Sequence, residues 1–468
     1  MRLNIESFDG ILSSVNSFLY ANLLIVMLIS CGLYFSIKTR FVQFRLIPDA
    51  LKSLVEKSGD GKISSFQALM ISTASRVGTG NIAGITAAIV LGGPGAVFWM
   101  WLMALIGGAS AFIESTLAQI YKTKHGNEFR GGPSYYIQKA LGQRWLGIIF
   151  SILLIACFAY GFNGLQAYNI SSSMEYYISN YSETIYPLVV AIVLSVLTGF
   201  IIFGGVHRIG FISSVLVPIM AILYIGVGIF ITCTNITKLP SMFASIFSSA
   251  FDFRSIFGGF AGSSILIGIK RGLFSNEAGM GSAPNAAATA DVSHPVKQGM
   301  VQVVSVFIDT IIICTTTAFM VLLSGVDLDC GLNGIPLVQQ AISNQIGQIG
   351  IHFVTISIFC FAFTSIIGNY CYAESNILFI KDNKLFLNIF RVSCIVAVFL
   401  GAQADFNTVW DLADVLMGLM AIVNIIAIVI LGNKAIKALQ DYIKQKKEGK
   451  DPVFVAADVG IDNAEVWK

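Results

Sequence analysis

A polar stretch interrupts an apolar segment in the first fifth of the chain. It reads "STASRVGTGNIAG" and lies between the apolar runs "FQALMI" and "ITAAIVL". Gly78 and Gly80 are poor helix formers, and Arg76 is costly inside a membrane. One interpretation is close helix packing through small residues. The other is a helix that opens and exposes backbone amides and carbonyls as ligands.

A backbone that opens between Val77 and Asn81 would offer two kinds of ligand. The free amides near Thr79 and Gly80 can hold a carboxylate, because amides at a helix end carry partial positive charge. The carbonyls of Ala74 and Val77 can hold sodium, a hard cation that prefers oxygen ligands. Asn81 adds a side-chain amide to the same cavity.

Two further apolar segments carry polar side chains at helical spacing. "CFAYGFNGLQAYNISSS" places Asn163 and Gln166 on one helix face, where they could bind the ammonium and carboxylate of an amino acid. "FCFAFTSIIGNYCYAES" places Phe361, Thr364 and Ser365 together, and two hydroxyls with a carbonyl suit sodium. The alternatives are hydrogen bonds between helices for the amides and hydroxyls bonded to carbonyls of their own helix.

A segment in the second half of the chain, "GFAGSSILIGIKRGLFSNEAGMGSAPNAAATA", has the same mixture of glycine and polar residues as the stretch around Gly78 and Gly80. We expect its helix to break near Gly272 to Asn276.

Arg76 is expected to have an acidic partner in a structural or gating pair, and four residues are candidates: Glu114, Glu277, Asp309 and Glu374. Asp309, beside a threonine cluster, could instead be a proton or cation site.

Composition places these segments in a membrane. The chain has 468 residues, of which 55% are hydrophobic and 12% charged, and its mean hydropathy is +0.77. Soluble domains are usually about 25% charged. The apolar runs are continuous and not alternating, so the prediction is an all-α polytopic protein and not a barrel. Eleven transmembrane helices are predicted, at 18–37, 66–90, 95–121, 146–176, 187–204, 209–233, 257–283, 298–324, 350–380, 386–404 and 408–432.

Lysine and arginine orient these spans. The loops on one side, with the segment after the last span, carry 23 basic residues, whereas the opposite side carries 3, which are Arg2, Lys238 and Arg254. Basic loops face the cytoplasm, so the N-terminus is expected outside and the C-terminus inside. The start of the chain lacks the features of a cleaved signal peptide.

The two interrupted spans are the second and the seventh, five spans apart and running in opposite directions. This arrangement indicates a first helix followed by a 5+5 inverted repeat, with ligands bound near the midplane between the breaks. The predicted units are residues 1–65 (first helix and basic loop), 66–233 (first repeat), 234–432 (second repeat) and 433–468 (basic cytoplasmic segment).

Seven strings together resemble the alanine or glycine:cation symporters, a branch of the LeuT-type fold. They are "GTGNIAG", "LGGPGAVFWMW", "FRGGPSYYI", "GFNGLQAYNI", "RGLFSNEAGMGSAPNAAA", "FIDTIIICTTTA" and "FTSIIGNYCYAE". The resemblance implies a sodium-coupled importer of small neutral amino acids, with alanine first and glycine next, working by alternating access. It places the chain in the plasma (inner) membrane of a prokaryote. It implies co-transported sodium, no organic cofactor, no nucleic acid and no obligate protein partner.

The resemblance also assigns residues. It gives the substrate carboxylate to Thr79, Gly80 and Asn81, and sodium to Thr364 and Ser365 with carbonyls of the second span. The remaining expected contacts are, for sodium, Ala74, Val77 and Phe361 and, for substrate, Asn163, Gln166, Gly272, Phe274, Ser275 and Asn276. Arg76 departs from the pattern: other branches of the fold have a small residue there, next to a second sodium site, and a guanidinium repels a cation.

Three other functions are alternatives to a sodium-coupled importer. A proton-coupled carrier of the same architecture would titrate Glu277 or Asp309. A channel is disfavoured because no ring of charged residues or pore repeat is visible. An intramembrane enzyme is disfavoured because the sequence has no convincing nucleophile–base pair and no metal motif such as HExxH.

Overall fold

A computed structural model describes residues 3–56, 58–59, 61–126, 128–204, 206–252 and 263–468. Helices dominate this part of the chain. Arg2, Arg254 and the part of the predicted span 257–283 that precedes residue 263 lie outside the described residues.

The first half of the chain contains twelve helices among its described residues. Three short π-helical segments, Tyr20–Leu24, Gly80–Gly84 and Ile155–Phe162, adjoin five of them. The helix bounds are α1 Leu3–Leu19, α2 Ile25–Lys38, α3 Val42–Arg45, α4 Ile47–Leu54, α5 Ser65–Arg76, α6 Ile85–Gly92, α7 Gly95–Ile120, α8 Pro133–Leu141, α9 Arg144–Leu154, α10 Asn163–Ser172, α11 Tyr186–Ile202 and α12 Val206–Thr234.

The second half contributes nine more described helices, and the π-helical segment Phe307–Cys314 joins two of them. Their bounds are α13 Leu239–Ala250, α14 Ser264–Asn276, α15 Pro284–Thr289, α16 Pro295–Val306, α17 Thr315–Leu323, α18 Gly334–Ile346, α19 Gln348–Ile380, α20 Lys384–Gly401 and α21 Phe406–Lys447. Three 3-10 turns lie at Tyr181–Glu183, Ile236–Lys238 and Ala457–Val459.

Several of these helices are suited to cross a membrane. Within the described residues, eight continuous helical stretches have the necessary length and hydropathy: Gly10–Lys38, Gly95–Ile120, Arg144–Ser172, Phe211–Thr234, Pro295–Leu323, Gln348–Ile380, Lys384–Gly401 and Phe406–Lys447. Two shorter apolar helices, Gly80–Gly92 and Tyr186–Ile202, overlap further predicted spans. The chain is thus a mostly helical, multi-pass protein, and the total of eleven spans stays a prediction.

A small hairpin corrects the expectation of an all-α chain. Strands β1 (Thr123–His125) and β2 (Glu128–Arg130) pair in antiparallel fashion after α7. Gly126 adopts a φ of +61° in the turn, a conformation that glycine accepts without strain. Periodicity could not predict this hairpin, because the loop is short and lies outside the apolar runs.

The helix of the second predicted span stops inside the protein. α5 ends at Arg76, and Val77 has an extended backbone with φ −76° and ψ 92°. Helical structure resumes in the π-helical segment that begins at Gly80. Residues 68–89 are all buried, so the exposed backbone groups at this interruption face protein and not lipid.

The seventh predicted span is interrupted later than expected. α14 continues through Gly272 and ends at Asn276. Glu277 then takes a left-handed φ of +54°, and Gly279 and Gly281 have φ of +81° and +90° before α15 begins. Gly272 packs on α7 instead, where an added Cβ would lie 3.4 Å from the Cα of Met100. Glycine serves close packing at 272 and turning at 279 and 281.

The two interruptions lie next to two long helices. α19 contacts α5 and α10, and α14 contacts α7 and the π-helical segment Gly80–Gly84. The interruption after α5 therefore lies beside α19, and α14 lies beside the segment that follows this interruption.

Candidate substrate and cation site

The interruption after α5 is held open by two side-chain oxygens. The amide of Gly78 donates to Oδ1 of Asn81 at 2.9 Å. The amide of Thr79 donates to Oε1 of Gln166, on α10, at 3.1 Å. All four residues are buried. Two amides that a continuous helix would use internally thus donate to side-chain oxygens instead.

Asn81 links this interruption to the second one. Its side-chain amide donates to Oγ of Ser275 at 3.1 Å and to Oδ1 of Asp309 at 2.7 Å. Ser275 also donates to Oδ2 of Asp309 at 2.7 Å, and Thr310 donates to the same oxygen at 2.9 Å. The expected residues Asn81 and Ser275 are therefore in direct contact, and Asp309 accepts bonds from both.

Phe274 covers the glycine of the first interruption. An added Cβ on Gly80 would lie 2.9 Å from Cδ1 of the Phe274 ring. The ring of Phe274 is 4.8 Å from that of Phe162 and 5.0 Å from that of Trp410, between centroids. These aromatic side chains fill the space beside Gly80.

Three of the other expected substrate contacts have different surroundings. Asn163 accepts a hydrogen bond from Asn369 at 3.0 Å, so it joins a polar network between α10 and α19. Oδ1 of Asn276 accepts from the amide of Ala278 at 3.0 Å and closes the turn after α14. Gly272 faces α7, as described above. The structure brings neither of the two asparagines into hydrogen-bond contact with residues 78–81.

A cluster of oxygens surrounds Ser365. Its Oγ lies 2.9 Å from the carbonyl oxygen of Ala74, 3.2 Å from that of Val77 and 3.0 Å from that of Phe361. Oγ of Ser365 has a single hydrogen and can donate it fully to only one of these three acceptors. Three carbonyl oxygens around one hydroxyl, all buried, form a set of ligands suited to a hard cation.

Thr364 lies beside this cluster but bonds within its own helix. Its Oγ1 donates to the carbonyls of Cys360 at 3.0 Å and Phe361 at 2.9 Å. These are the bonds that the alternative interpretation of the sequence anticipated for both hydroxyls. Ser365, by contrast, reaches across to α5. The carbonyl of Phe361 is shared by the two hydroxyls.

Among the residues that the structure describes, Arg76 forms no ion pair with a carboxylate. Its Nη1 lies 3.4 Å from Oε1 of Gln302, and in the described part of the chain it forms no ion pair with any of the four candidates. Glu374 instead pairs with Arg391 at 3.1 Å. The other three candidates, Glu114, Glu277 and Asp309, accept hydrogen bonds from nearby amides and hydroxyls.

Sequence comparison decides the family. The model of the sodium:alanine symporter family matches residues 5–456. The chain belongs to this family. The amino-acid carrier protein AlsT of Bacillus subtilis is 49% identical over 99% of this chain and 98% of its own length. The probable sodium/glutamine symporter GlnT of the same organism is 47% identical over 96% of this chain and 94% of its own.

A solved structure shares the fold. The crystal structure of MhsT in complex with L-phenylalanine aligns with a TM-score of 0.58 at 15% identity, covering 82% of this chain and 99% of that one. The symporter therefore has the LeuT-type fold. Family and fold together identify it as an amino-acid transporter of the membrane and not an enzyme.

The symporter also contains a buried ion cluster that its sequence did not reveal. Asp414 of α21 is fully buried and lies 2.6 Å from Nζ of Lys270 and 2.9 Å from Nη2 of Arg271. The guanidinium of Arg271 in turn lies over the Trp410 ring, 4.3 Å from its centroid. The sequence did contain one signal for this cluster. Lys270 and Arg271 lie in one apolar segment, and buried charges must be paired, so they require an acidic partner.

Proposed function

We propose that this symporter imports small neutral amino acids, alanine and also glycine, together with sodium by alternating access. One observation carries the proposal: a single helix interruption supplies both sites. The amides of Gly78 and Thr79 lie on one side of it. The carbonyls of Ala74, one turn earlier, and of Val77, the residue just before Gly78, lie against Ser365. Binding at one site therefore orders the backbone of the other.

The substrate carboxylate binds at the amides near Thr79 and Gly80 and at the side chain of Asn81. In the present structure, side-chain oxygens of Gln166 and Asn81 occupy the amides of residues 78 and 79, and a carboxylate replaces them. Gln166 is then free to accept a hydrogen bond from the ammonium group. Phe274 and Ser275 border the same space and favour a short side chain.

Sodium binds among the oxygens that surround Ser365. The proposed ligands are the carbonyls of Ala74, Val77 and Phe361 and the hydroxyls of Thr364 and Ser365. The Thr364 hydroxyl directs its hydrogen to carbonyls of its own helix. The lone pairs of its oxygen are therefore available to the ion. The ion joins α5 to α19 and thereby favours the closed form of the substrate site.

Alternating access follows from an eleven-span arrangement of one helix plus two inverted five-helix repeats. The interruptions after Arg76 and Asn276 support broken helices in the second and seventh spans. The charge asymmetry supports an external N-terminus and a cytoplasmic C-terminus in a prokaryotic plasma membrane. Inward movement of one sodium is favoured by about 2.3 kcal/mol per 100 mV of membrane potential, which is enough to drive modest accumulation.

A proton-coupled carrier is the second candidate function. It is favoured by Asp309 and Glu277, two fully buried carboxyl groups that accept hydrogen bonds from hydroxyls and amides. Neither forms an ion pair within the described residues. Either group could carry a proton in place of the sodium ion.

Uptake by proteoliposomes separates the two candidates. Radiolabelled alanine uptake is measured with sodium or choline outside, with and without an imposed pH gradient. Sodium coupling predicts uptake only with sodium and no requirement for the pH gradient. Uptake that persists in choline and follows the pH gradient would replace sodium by a proton. The variant Asp309→Asn would then be expected to abolish the pH-driven uptake if Asp309 carries that proton.

A further inference from the structure

The segment after the last helix folds back onto the protein. We define the latch segment as residues 449–468. The amide of Phe454 donates to the carbonyl of Ser293 at 3.0 Å, and the Ser293 hydroxyl donates to the carbonyl of Pro452 at 2.9 Å. Near the other end of the segment, the indole N–H of Trp467 donates to the carbonyl of Gln119 at 2.7 Å.

Aromatic side chains anchor the latch segment. Phe454 and Trp467 are 3% and 7% exposed, and their ring centroids lie 5.5 Å apart. The ring centroid of His294 lies 5.0 Å from that of Phe454, and Nζ of Lys122 lies 4.9 Å from the ring centroid of Trp467. A segment that buries two aromatic rings in this way is docked at a defined position.

Trp467 attaches the latch segment to the end of α7 and, through it, to the end of α15. Gln119 and Lys122, at the end of α7, both donate side-chain hydrogen bonds to the carbonyl of Ala290, at 3.0 and 2.8 Å. Ala290 directly follows α15. The end of α7, α15 and Trp467 therefore form one connected unit.

The residues just before Trp467 attach the latch segment to a different unit. Glu465 pairs with Lys139 of α8 at 2.8 Å, and the Asn463 side chain donates to the Lys139 carbonyl at 3.2 Å. α8 is in turn fixed to α19: the Ser134 hydroxyl donates to Oδ1 of Asn376 at 2.8 Å. The latch segment thus connects α7 and α15 with α8 and α19.

A cavity separates the same two units. It has a volume of about 240 Å³ and lies between Asn285 and Thr289 on the α15 side and Tyr372 and Ser375 on the α19 side. Next to the cavity, Nδ2 of Asn376 donates to Oδ1 of Asn285 at 3.0 Å and joins α19 to α15. Widening this cavity would separate the walls and therefore stretch the attachments of the latch segment.

We propose that the latch segment is an intramolecular restraint that holds the two walls of this cavity together and slows its opening. The proposal rests on the proposed function in one respect: opening of this cavity is taken as the step that releases the amino acid to the cytoplasm. Detaching the segment shifts the population toward the open form, because attachments made in only one form stabilise that form.

A native cysteine reports on the cavity. Cys371 lines it and is partly exposed. The rate at which N-ethylmaleimide modifies Cys371 is measured in purified full-length protein by peptide-resolved mass spectrometry. Trp467→Ala, and separately a chain ended after Glu448, are expected to raise this rate by at least about fivefold, because each removes at least one hydrogen bond that holds the segment. Trp145→Ala, which changes a tryptophan that is 61% exposed, is the matched control and leaves the rate unchanged.

The buried cysteines Cys157 and Cys394 serve as internal reporters of unfolding. If they also react in the shortened chain, Trp467→Phe decides, because it keeps an aromatic ring at this position and removes the indole N–H that donates to Gln119. A Cys371 rate equal to wild type in the folded variants overturns the latch. Sodium-driven alanine uptake is measured on the same wild-type sample. Its absence would overturn the proposed function, whereas the labelling rates would still decide the latch.

Discussion

The hydroxyl oxygen of Ser365 lies 3.2 Å from the carbonyl oxygen of Val77, although 288 positions separate the two residues. Val77 is the point at which α5 stops, and Ser365 lies within the continuous helix α19. The approach requires glycine at position 78, where a Cβ would lie 2.3 Å from the Ser365 oxygen. A small residue after the interruption thus lets one helix contact the free carbonyls of another.

Replacement of Ser365 by alanine should weaken sodium activation. The change removes the only side-chain oxygen of the proposed cluster that contacts both Ala74 and Val77. Because a bond to a charged group contributes about 1.5–3 kcal/mol, the sodium concentration for half-maximal alanine uptake should rise at least about tenfold. Ser357→Ala is the matched control, since Ser357 is a buried serine of the same helix. An unchanged sodium dependence in Ser365→Ala would place the ion elsewhere.

Replacement of Gln166 by glutamate should impair substrate binding more than sodium binding. Oε1 of Gln166 accepts the bond from the Thr79 amide. A carboxylate at this position would bind the amide itself and repel the carboxylate of the amino acid. The KM for alanine should therefore rise at least about tenfold, with a smaller change for Gln166→Met, which adds no charge. Equal KM values for Gln166→Glu and wild type would contradict the assignment of this amide to the substrate.

Replacement of Phe274 by alanine should relax selectivity for small side chains. The ring fills the space beside Gly80 and packs on Phe162 and Trp410. Its removal leaves room for a longer substrate, so uptake of glutamine relative to alanine should increase. Competition of unlabelled glutamine with labelled alanine measures this. Phe230→Ala, at a ring that is 55% exposed, is the control. The same preference for alanine in both variants would show that Phe274 does not bound the pocket.

Some of these contacts were expected before the structure was known. Residue types indicated oxygen ligands at the end of α5 and on α19 separately, and the family resemblance implied that Ser365 and the carbonyls of Ala74 and Val77 act together. The structure brings these groups into contact, and it also brings Asn81 to Ser275. The exact end of α14 was not predictable, because glycine serves both turns and close packing. Gly272 packs, whereas Gly279 turns the chain.

Long-range charge pairing was the least predictable feature. Asp414 lies 143 positions from Arg271, and nothing in local spacing marks it as the partner of two cations. Arg76 shows the reverse case: four acidic candidates were available in the sequence, yet its hydrogen bonds go to Gln302. Pairing depends on how helices are arranged in three dimensions, and the order of residues along the chain does not encode it directly.

Replacement of Asp414 by asparagine should destabilise the folded protein. The change removes the carboxylate that both Lys270 and Arg271 contact, and removal of one partner from a buried ion pair costs about 3–5 kcal/mol. The thermal unfolding midpoint of the protein in detergent should fall, and Asp411→Asn is the matched control, because Asp411 lies one turn away and is only partly buried.

Adding Lys270→Met to Asp414→Asn removes one of the two cations that have lost their carboxylate partner. This double variant should therefore recover part of the lost stability, which separates a charge effect from a packing defect at position 414. A midpoint for Asp414→Asn equal to that of Asp411→Asn would mean that the two cations do not depend on Asp414.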